Sequence, residues 1–378
     1  MTNRDKIKDG ILNSGFPLEF LVGKACRSHG WSTINSKYYV DDTQGKAREL
    51  DVVAYKIGMF EDVQVCTTLL ISCKKNKHDA WSLIAQEKDE RDPNKDWYPM
   101  HGWSNQPVMN FVLSETEWVK SYIQKAKDKE FFSTLIEPEH HIFAYQLQNK
   151  DSGKVHGSSS VFDSVTALMK AQWYEIDSRQ RNKEAQPSRV MLFNLLTVAD
   201  AELLLCLLDQ AENSDVEVSI SEVDTDTHIA SFIVDQKEAT SRVNFVRFSA
   251  LEDVLTKFDS MHSFNRRFFA DASADYFAHP FESKEATAVF LDQFVRQISI
   301  SLRLALRGTG EDLEGRIDLV EISRRRGADY VSVGVPFIED ATISALNEDE
   351  RLRARTRDAL EEFYRYHGDF KYEMGFPF

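Results

Sequence analysis

The sequence predicts an α/β fold with a central mixed β-sheet, followed by a mainly helical C-terminal region. Two observations lead to this prediction. Over the first ninety residues, segments with helical spacing of apolar residues alternate with short β-branched, apolar runs. From about residue 260 the pattern becomes mostly helical, most clearly at 285–306 and 349–366. We therefore expect an α/β domain over 1–260 and a helical region of unknown role over 261–378.

The N-terminal elements follow in the order helix, strand, strand, strand, helix. A proline at a tolerated first-turn position opens the first helix, and a glycine ends it. The strands have the β-branched, apolar character of a buried sheet. The predicted elements are a helix at 17–26, strands at 31–40, 48–55 and 65–73, and a helix at 80–90.

The middle of the chain predicts further α/β structure after an insertion at about 91–160. A helix at 161–174 and a strand at 189–198 are candidates to complete the core. Residues 201–210 suit either an extension of that strand or a new helix. Further predicted elements are strands at 216–223, 228–234 and 243–248 and a short helix at 250–258.

Composition favours a reduced, cytoplasmic globular protein without a membrane span. The chain has 378 residues, of which 42% are hydrophobic and 28% charged. The longest apolar run is far below the roughly 20 residues needed to cross a bilayer, and the four cysteines show no C-x-x-C spacing. The net charge of −15 argues against a nucleic-acid partner, but residues 1–90 hold 13 basic and 13 acidic residues. The acidic excess therefore lies outside this segment.

Three charged residues fall on the elements where phosphodiester chemistry would need them. Glu19 lies on the first helix, Asp51 in the second strand, and Lys74 at the end of the third. Hydrolysis of a phosphodiester uses divalent cations held by carboxylate oxygens, and a lysine can orient the water or stabilise the developing charge. Strand periodicity puts Ser72 and Lys74 on one face, and Glu49 and Asp51 on one face.

This arrangement resembles the PD-(D/E)XK, or restriction-endonuclease-like, nuclease superfamily. The segments ELDVVA at 49–54 and LISCKK at 70–75 look most similar to its Mrr-like branch. The resemblance covers residues 14–90 and implies an αβββαβ core with a four- or five-stranded sheet. Asp51 matches the strand aspartate, Lys74 the lysine of the acid-x-Lys motif, and Glu19 the helix glutamate.

The resemblance also implies a function. It implies an endonuclease that depends on Mg²⁺ or Mn²⁺ and hydrolyses DNA, with Asp51 and Glu19 as metal ligands. Restriction or anti-phage defence is the setting that the family suggests, with a homodimer or an accessory protein as further expectations. RNA is the alternative substrate.

Ser72 departs from the family pattern, which usually has Glu, Asp or Gln at this position. Glu19 supplies the second carboxylate in one interpretation, with Ser72 bonded to a metal-bound water, and Glu49 supplies it in another. In the third, the site is degenerate and the domain only binds nucleic acid or a protein partner. Lys75 suits a phosphate contact and Gln86, on the predicted 80–90 helix, could face the site; a surface position explains each equally well.

Overall fold

The computed structural model of the chain describes residues 2–41, 45–93, 95–181, 187–210, 215–310, 320–324, 327–336 and 338–375. Within these ranges the chain is α/β with a large mixed β-sheet, as the sequence predicts. It divides into two compact units, residues 1–106 with 113–269 and residues 107–112 with 270–378. Over the same described ranges, no helix combines the length and apolar character needed to cross a membrane.

The helices and strands are numbered in chain order. The helices are α1 Asn3–Asn13, α2 Phe16–Ser28, α3 Pro107–Ser114, α4 Trp118–Ala126, α5 Phe132–Leu135, α6 Ser159–Arg181, α7 Leu251–Ala278, α8 Lys284–Thr309, α9 Asp340–Glu348 and α10 Glu350–Tyr364. The strands are β1 Ser32–Asp41, β2 Lys46–Phe60, β3 Val63–Gln86, β4 His101–Ser104, β5 His141–Asn149, β6 Val155–Gly157, β7 Arg189–Gln210, β8 Val216–Glu222, β9 Thr225–Val234, β10 Lys237–Arg247, β11 Glu321–Ser323, β12 Tyr330–Pro336 and β13 Asp369–Gly375.

The sheet of the first unit has ten strands in the described part of the chain, where the sequence predicts four or five. Strand β2 pairs antiparallel with β1 on one side and with β3 on the other, and β7 lies parallel to β3 on the far side of β3. Strand β10 pairs parallel with β7 and antiparallel with β9. The sheet is larger than predicted because β3 and β7, 24 and 22 residues long, continue past a register shift after Lys75 and add β5 and β8 at their flanks.

The predicted helix at 80–90 is wrong, because this segment is the second half of β3. It pairs with β5 on one side and β7 on the other. Trp81, Leu83 and Ala85 are buried in the core. A strand enclosed on both faces shows a continuous apolar run, and such a run has no period that separates it from a buried helix. Gln86 therefore lies exposed at the end of a strand, opposite His141.

Helix α6 is the helix that covers this sheet after the insertion. It confirms the prediction at 161–174, and β7 confirms the strand at 189–198. Residues 201–210 continue β7 because they pair with β8 and with the second half of β3. The α6 residues that share an apolar core with β3 and β7 are Val161, Val165, Leu168, Met169 and Ala171.

The second unit is less helical than the sequence predicts. Helices α8 and α10 confirm the predictions at 285–306 and 349–366. Strands β11, β12 and β13 form a three-stranded sheet that was not predicted. Its central strand β12 is buried on both faces, with Val331 and Val333 in an apolar core together with residues of α8 and α10. Short strands of this kind show little alternation, so the periodicity does not reveal them.

A polar network built around Asp259 of α7 connects this helix to the corner between α2 and β1. The Asp259 carboxylate accepts hydrogen bonds from Trp31 Nε1 at 2.8 Å and Lys56 Nζ at 2.7 Å. His29 lies 3.2 Å from the same carboxylate through Nδ1 and 2.6 Å from Glu252 through Nε2. The predicted short helix at 250–258 is thus the start of a 28-residue helix whose interior makes these contacts.

This network predicts a stability that depends on pH. Burial lowers the pKa of His29, but hydrogen bonds to Asp259 and Glu252 and their charges outweigh burial and raise the pKa overall. The contribution of charged His29 is therefore complete below its unfolded pKa of about 6.5 and is lost as the pH rises through the folded pKa. We expect the unfolding temperature of the parent protein to fall as the pH rises through this range. His29→Gln should flatten this dependence on pH, and the control His78→Gln, at an exposed position, should leave it as in the parent. Identical profiles for the parent and His29→Gln would contradict the assignment.

Candidate functional site

The site is built where β2 and β3 stop pairing. Their described backbone pairing runs from Phe60 opposite Val63 to Val52 opposite Ile71. Beyond this pair, the hydrogen-bond acceptor is a side chain: Oδ2 of Asp51 accepts the backbone N–H of Cys73 at 2.6 Å. The side chain of Asp51 thus replaces a strand carbonyl, and the two strands separate with their hydrogen bonding satisfied.

Ser72 contacts the same carboxylate oxygen more loosely. Its hydroxyl lies 3.4 Å from Asp51 Oδ2, and the residue is 4% exposed. The hydroxyl is neutral and adds no negative charge, so it solvates Asp51 without competing for a cation. Ser72 therefore supports the aspartate through a hydrogen bond and supplies no acid of its own.

Helix α2 brings Glu19 toward this point. Leu18, Val22 and Cys26 of α2 are buried, and Pro17 lies in the first turn as predicted. Glu19 is half-buried in the same turn, where the helix dipole favours an acid. The buried face of α2 therefore fixes the side from which the glutamate approaches the strands.

Electrostatic effects show that the predicted acids and the lysine lie in one cluster. Burial raises the pKa of Glu19, the charges of Asp51 and Glu49 raise it further, and Lys74 lowers it. Burial also raises the pKa of Asp51, against the opposing effects of the Cys73 N–H, Lys74 and Ser72. Both carboxyl groups are thus less acidic than usual, since burial and neighbouring negative charge disfavour ionisation.

The two lysines at the end of this part of β3 differ in their contacts. Lys74 makes no hydrogen bond or ion pair with any residue in the described ranges, although it lies in the field of Glu19 and Asp51. Lys75 Nζ donates to the carbonyl oxygens of Leu12 at 2.7 Å and Ser14 at 3.5 Å. Lys75, for which a phosphate contact and a surface position were equally open, therefore binds the end of α1 and the residue after it, while Lys74 has no protein partner in the described ranges.

The candidate site residues thus fall into two groups. Glu19, Asp51, Ser72 and Lys74 come together at the fork of β2 and β3, and the exposed Glu49 lies beside them, opposite Tyr38 of β1. Gln86 lies elsewhere, twelve residues further along β3 at its exposed end. The Cys73 backbone N–H was missed by sequence reasoning, because no side-chain pattern indicates a main-chain donor.

The donor set fits a hard cation with few protein ligands. Among the residues described, no group of three or more His, Cys, Asp and Glu side chains is arranged to hold a metal ion. Of the three carboxylates in the cluster, the two that are partly buried belong to Glu19 and Asp51, and Lys74 only partly offsets their charge. Mg²⁺ is commonly bound through one or two carboxylates and keeps several waters, so it suits such a pair.

A polar cavity of about 560 Å³ lies where the parallel strands β3 and β7 shift register, at residues 76–77 and 199–202, next to the carboxyl end of β10. The Arg247 guanidinium is paired with Glu222 at 2.5 Å, and Lys150 with Glu202 at 3.4 Å. Because acids neutralise most of its bases, the cavity has no clear charge preference. The ionisable residues that line it are Lys77, Lys150, Asp200, Glu202, Glu222 and Arg247.

Comparisons of the chain with family models, with curated proteins and with solved structures gave no match.

The hydrogen bond from Cys73 to Asp51 makes a prediction that concerns stability alone. Asp51→Ala leaves a buried N–H without an acceptor and should lower the free energy of unfolding by about 1–3 kcal/mol. Asp51→Asn keeps a side-chain oxygen and removes a charge that burial disfavours, so it should retain most of the stability. Urea unfolding measures both, with exposed Glu49→Ala as the control, expected within about 0.5 kcal/mol of the parent. Equal losses for the Ala and Asn variants would mean that the hydrogen bond is unimportant.

Proposed function

We propose that the chain is a divalent-metal-dependent endonuclease related to the PD-(D/E)XK nucleases, with DNA as its substrate. The observation that carries the proposal is the cluster at the fork of β2 and β3. There, Asp51 accepts the Cys73 N–H and lies in one electrostatic cluster with Glu19 and the unpaired Lys74. An acid pair beside a free lysine is the donor set that phosphodiester hydrolysis needs.

The order of elements gives independent support. Helix α2, the antiparallel strands β1, β2 and β3, helix α6 and the parallel partner β7 follow one another as in an αβββαβ unit. Residues 87–158 would then be an insertion between the third strand and the second helix. The likeness concerns connectivity and pairing, and the nuclease identity of the unit remains part of the proposal.

Each residue of the cluster would have a separate task. Asp51 and Glu19 would hold Mg²⁺ or Mn²⁺, which supplies Lewis acidity toward the phosphate and lowers the pKa of water. Lys74 would donate hydrogen bonds to a phosphate oxygen and stabilise the negative charge that develops there. Ser72 would hold Asp51 in place through its hydroxyl.

The positions of the acids favour Glu19 over Glu49 as the second ligand. Glu19 is half-buried and its pKa is raised by burial first, whereas Glu49 is exposed on β2. A carboxylate already removed from water loses less hydration when it binds a cation. Of the three interpretations of Ser72, the one in which Glu19 supplies the missing acid is therefore the best supported.

We expect plasmid DNA to be cleaved in Mg²⁺ or Mn²⁺ and not in EDTA. Lys74→Met should lower the rate by about 10²-fold or more, because a transition-state donor is lost, while Lys77→Met, an exposed lysine on the same strand, should have little effect. Glu19→Gln should raise the metal concentration needed for half-maximal cleavage at least about 10-fold, by analogy with other losses at metal sites. Glu49→Gln should leave this concentration unchanged. Cleavage that survives Lys74→Met would contradict the catalytic assignment.

A second candidate is a degenerate module that binds nucleic acid or a protein partner without cutting. The observation in its favour is the absence, within the described residues, of a three-ligand metal group. Binding of DNA by the parent protein, without cleavage in either metal, would favour this candidate. The same assay with single-stranded RNA separates a nuclease acting on DNA from one acting on RNA.

A further inference from the structure

The outer face of α2 carries two exposed aromatic rings beside the candidate site. Phe16 is 68% exposed and Phe20 is 60% exposed. They are four residues apart, so they lie on one face of the helix, and exposed Lys24 follows one turn further along the same face. Glu19 directly precedes Phe20. The helix that supplies the candidate acid thus also presents two rings and an ammonium group to solvent.

The N-terminal segment that carries these rings has a net charge of opposite sign to that of the whole chain. Residues 1–28 contain five Lys or Arg and three Asp or Glu, a net charge of +2, while the whole chain carries −15. Surfaces that bind single-stranded nucleic acid combine aromatic rings for base stacking with basic side chains for the backbone, and Phe16, Phe20 and Lys24 supply both kinds of group. Without a ligand, two phenylalanines exposed to this degree leave apolar area in contact with water.

We propose that this face of α2 binds an unpaired stretch of nucleic acid, with bases stacked on Phe16 and Phe20 and a phosphate on Lys24. The inference deepens the proposed function, since it names the form of nucleic acid that would enter the site at Glu19. The binding itself needs no cleavage and can be measured without it.

Unpaired strands fit the rings better than a duplex does. A base offers its flat face to a side chain only when it is unstacked, whereas a duplex presents phosphates and groove edges. Stacking is tolerant of sequence, because every base has an aromatic face. The surface should therefore prefer single strands, gaps or junctions over intact duplex, with little dependence on sequence.

Fluorescence anisotropy with labelled oligothymidylate and a matched duplex, in EDTA, tests the preference directly. Replacement of Phe16 and Phe20 by Leu keeps apolar bulk and removes the rings. We expect affinity for the single strand to fall about 10-fold for each ring, as base stacking energies imply, while duplex affinity changes less than about twofold. Replacement of both by Tyr should restore binding. Phe143→Leu is the matched control, because Phe143 is 50% exposed on β5.

The outcomes separate this inference from the nuclease proposal. Loss of single-strand binding in the Leu variants supports the inference, even if the parent never cuts any substrate. Unchanged single-strand affinity, or an equal loss on duplex, overturns it, even if the parent cleaves DNA. If the parent binds no single strand but the Leu variants change its sedimentation from dimer to monomer, a second copy of the chain covers the rings and the inference fails.

Discussion

The 2.6 Å hydrogen bond from the Cys73 N–H to Asp51 is the contact on which the candidate site depends. Strands that separate inside a sheet leave donors and acceptors without partners, and a buried N–H left in this way is costly. The Asp51 side chain supplies the missing acceptor where the backbone of β2 turns away. Strand β3 stays paired with β7 at this point, and Lys74, directly after Cys73, lies beside Asp51 and Glu19.

The same arrangement places the carboxyl groups of Asp51 and Glu19 where burial disfavours their charged forms. Burial raises the pKa of both Asp51 and Glu19, and Lys74 only partly opposes the effect. Neutral amides at both positions would satisfy the local hydrogen bonds at a smaller desolvation cost. Local departures from what stability favours tend to mark functional sites. A bound cation would relieve the repulsion between the two acids, which is the physical argument for a metal-binding role.

The sequence was most informative where local spacing and burial agree. Helix α2, the three following strands, α6 and the start of β7 were all predicted, whereas α1 was not. It was misleading at residues 80–90, where β3 lies between β5 and β7 and its apolar run mimics a helix. The pairing of β5 with β3 joins residues about sixty positions apart, and no local pattern indicates it. The role of Lys75 was missed for the same reason, since its partners lie on another helix.

Ser72 and Lys75 bear on how the proposed metal site would be built with no acidic residue at position 72 of β3. An acidic side chain at position 72 would place another negative charge beside Asp51, whose pKa is already raised. In the function that we propose, the second carboxylate is that of Glu19 in the first turn of α2. Lys75 binds the carbonyls of Leu12, in the last turn of α1, and of Ser14, the C-cap of that helix. Helix α1 buries no side chain, so this contact anchors its end, while the buried Leu18 and Val22 position α2 itself. The adjacent lysines of β3 thus differ in their contacts: Lys75 anchors the segment that leads into α2, and Lys74 is left beside Asp51 and Glu19 for the phosphate contact that we propose.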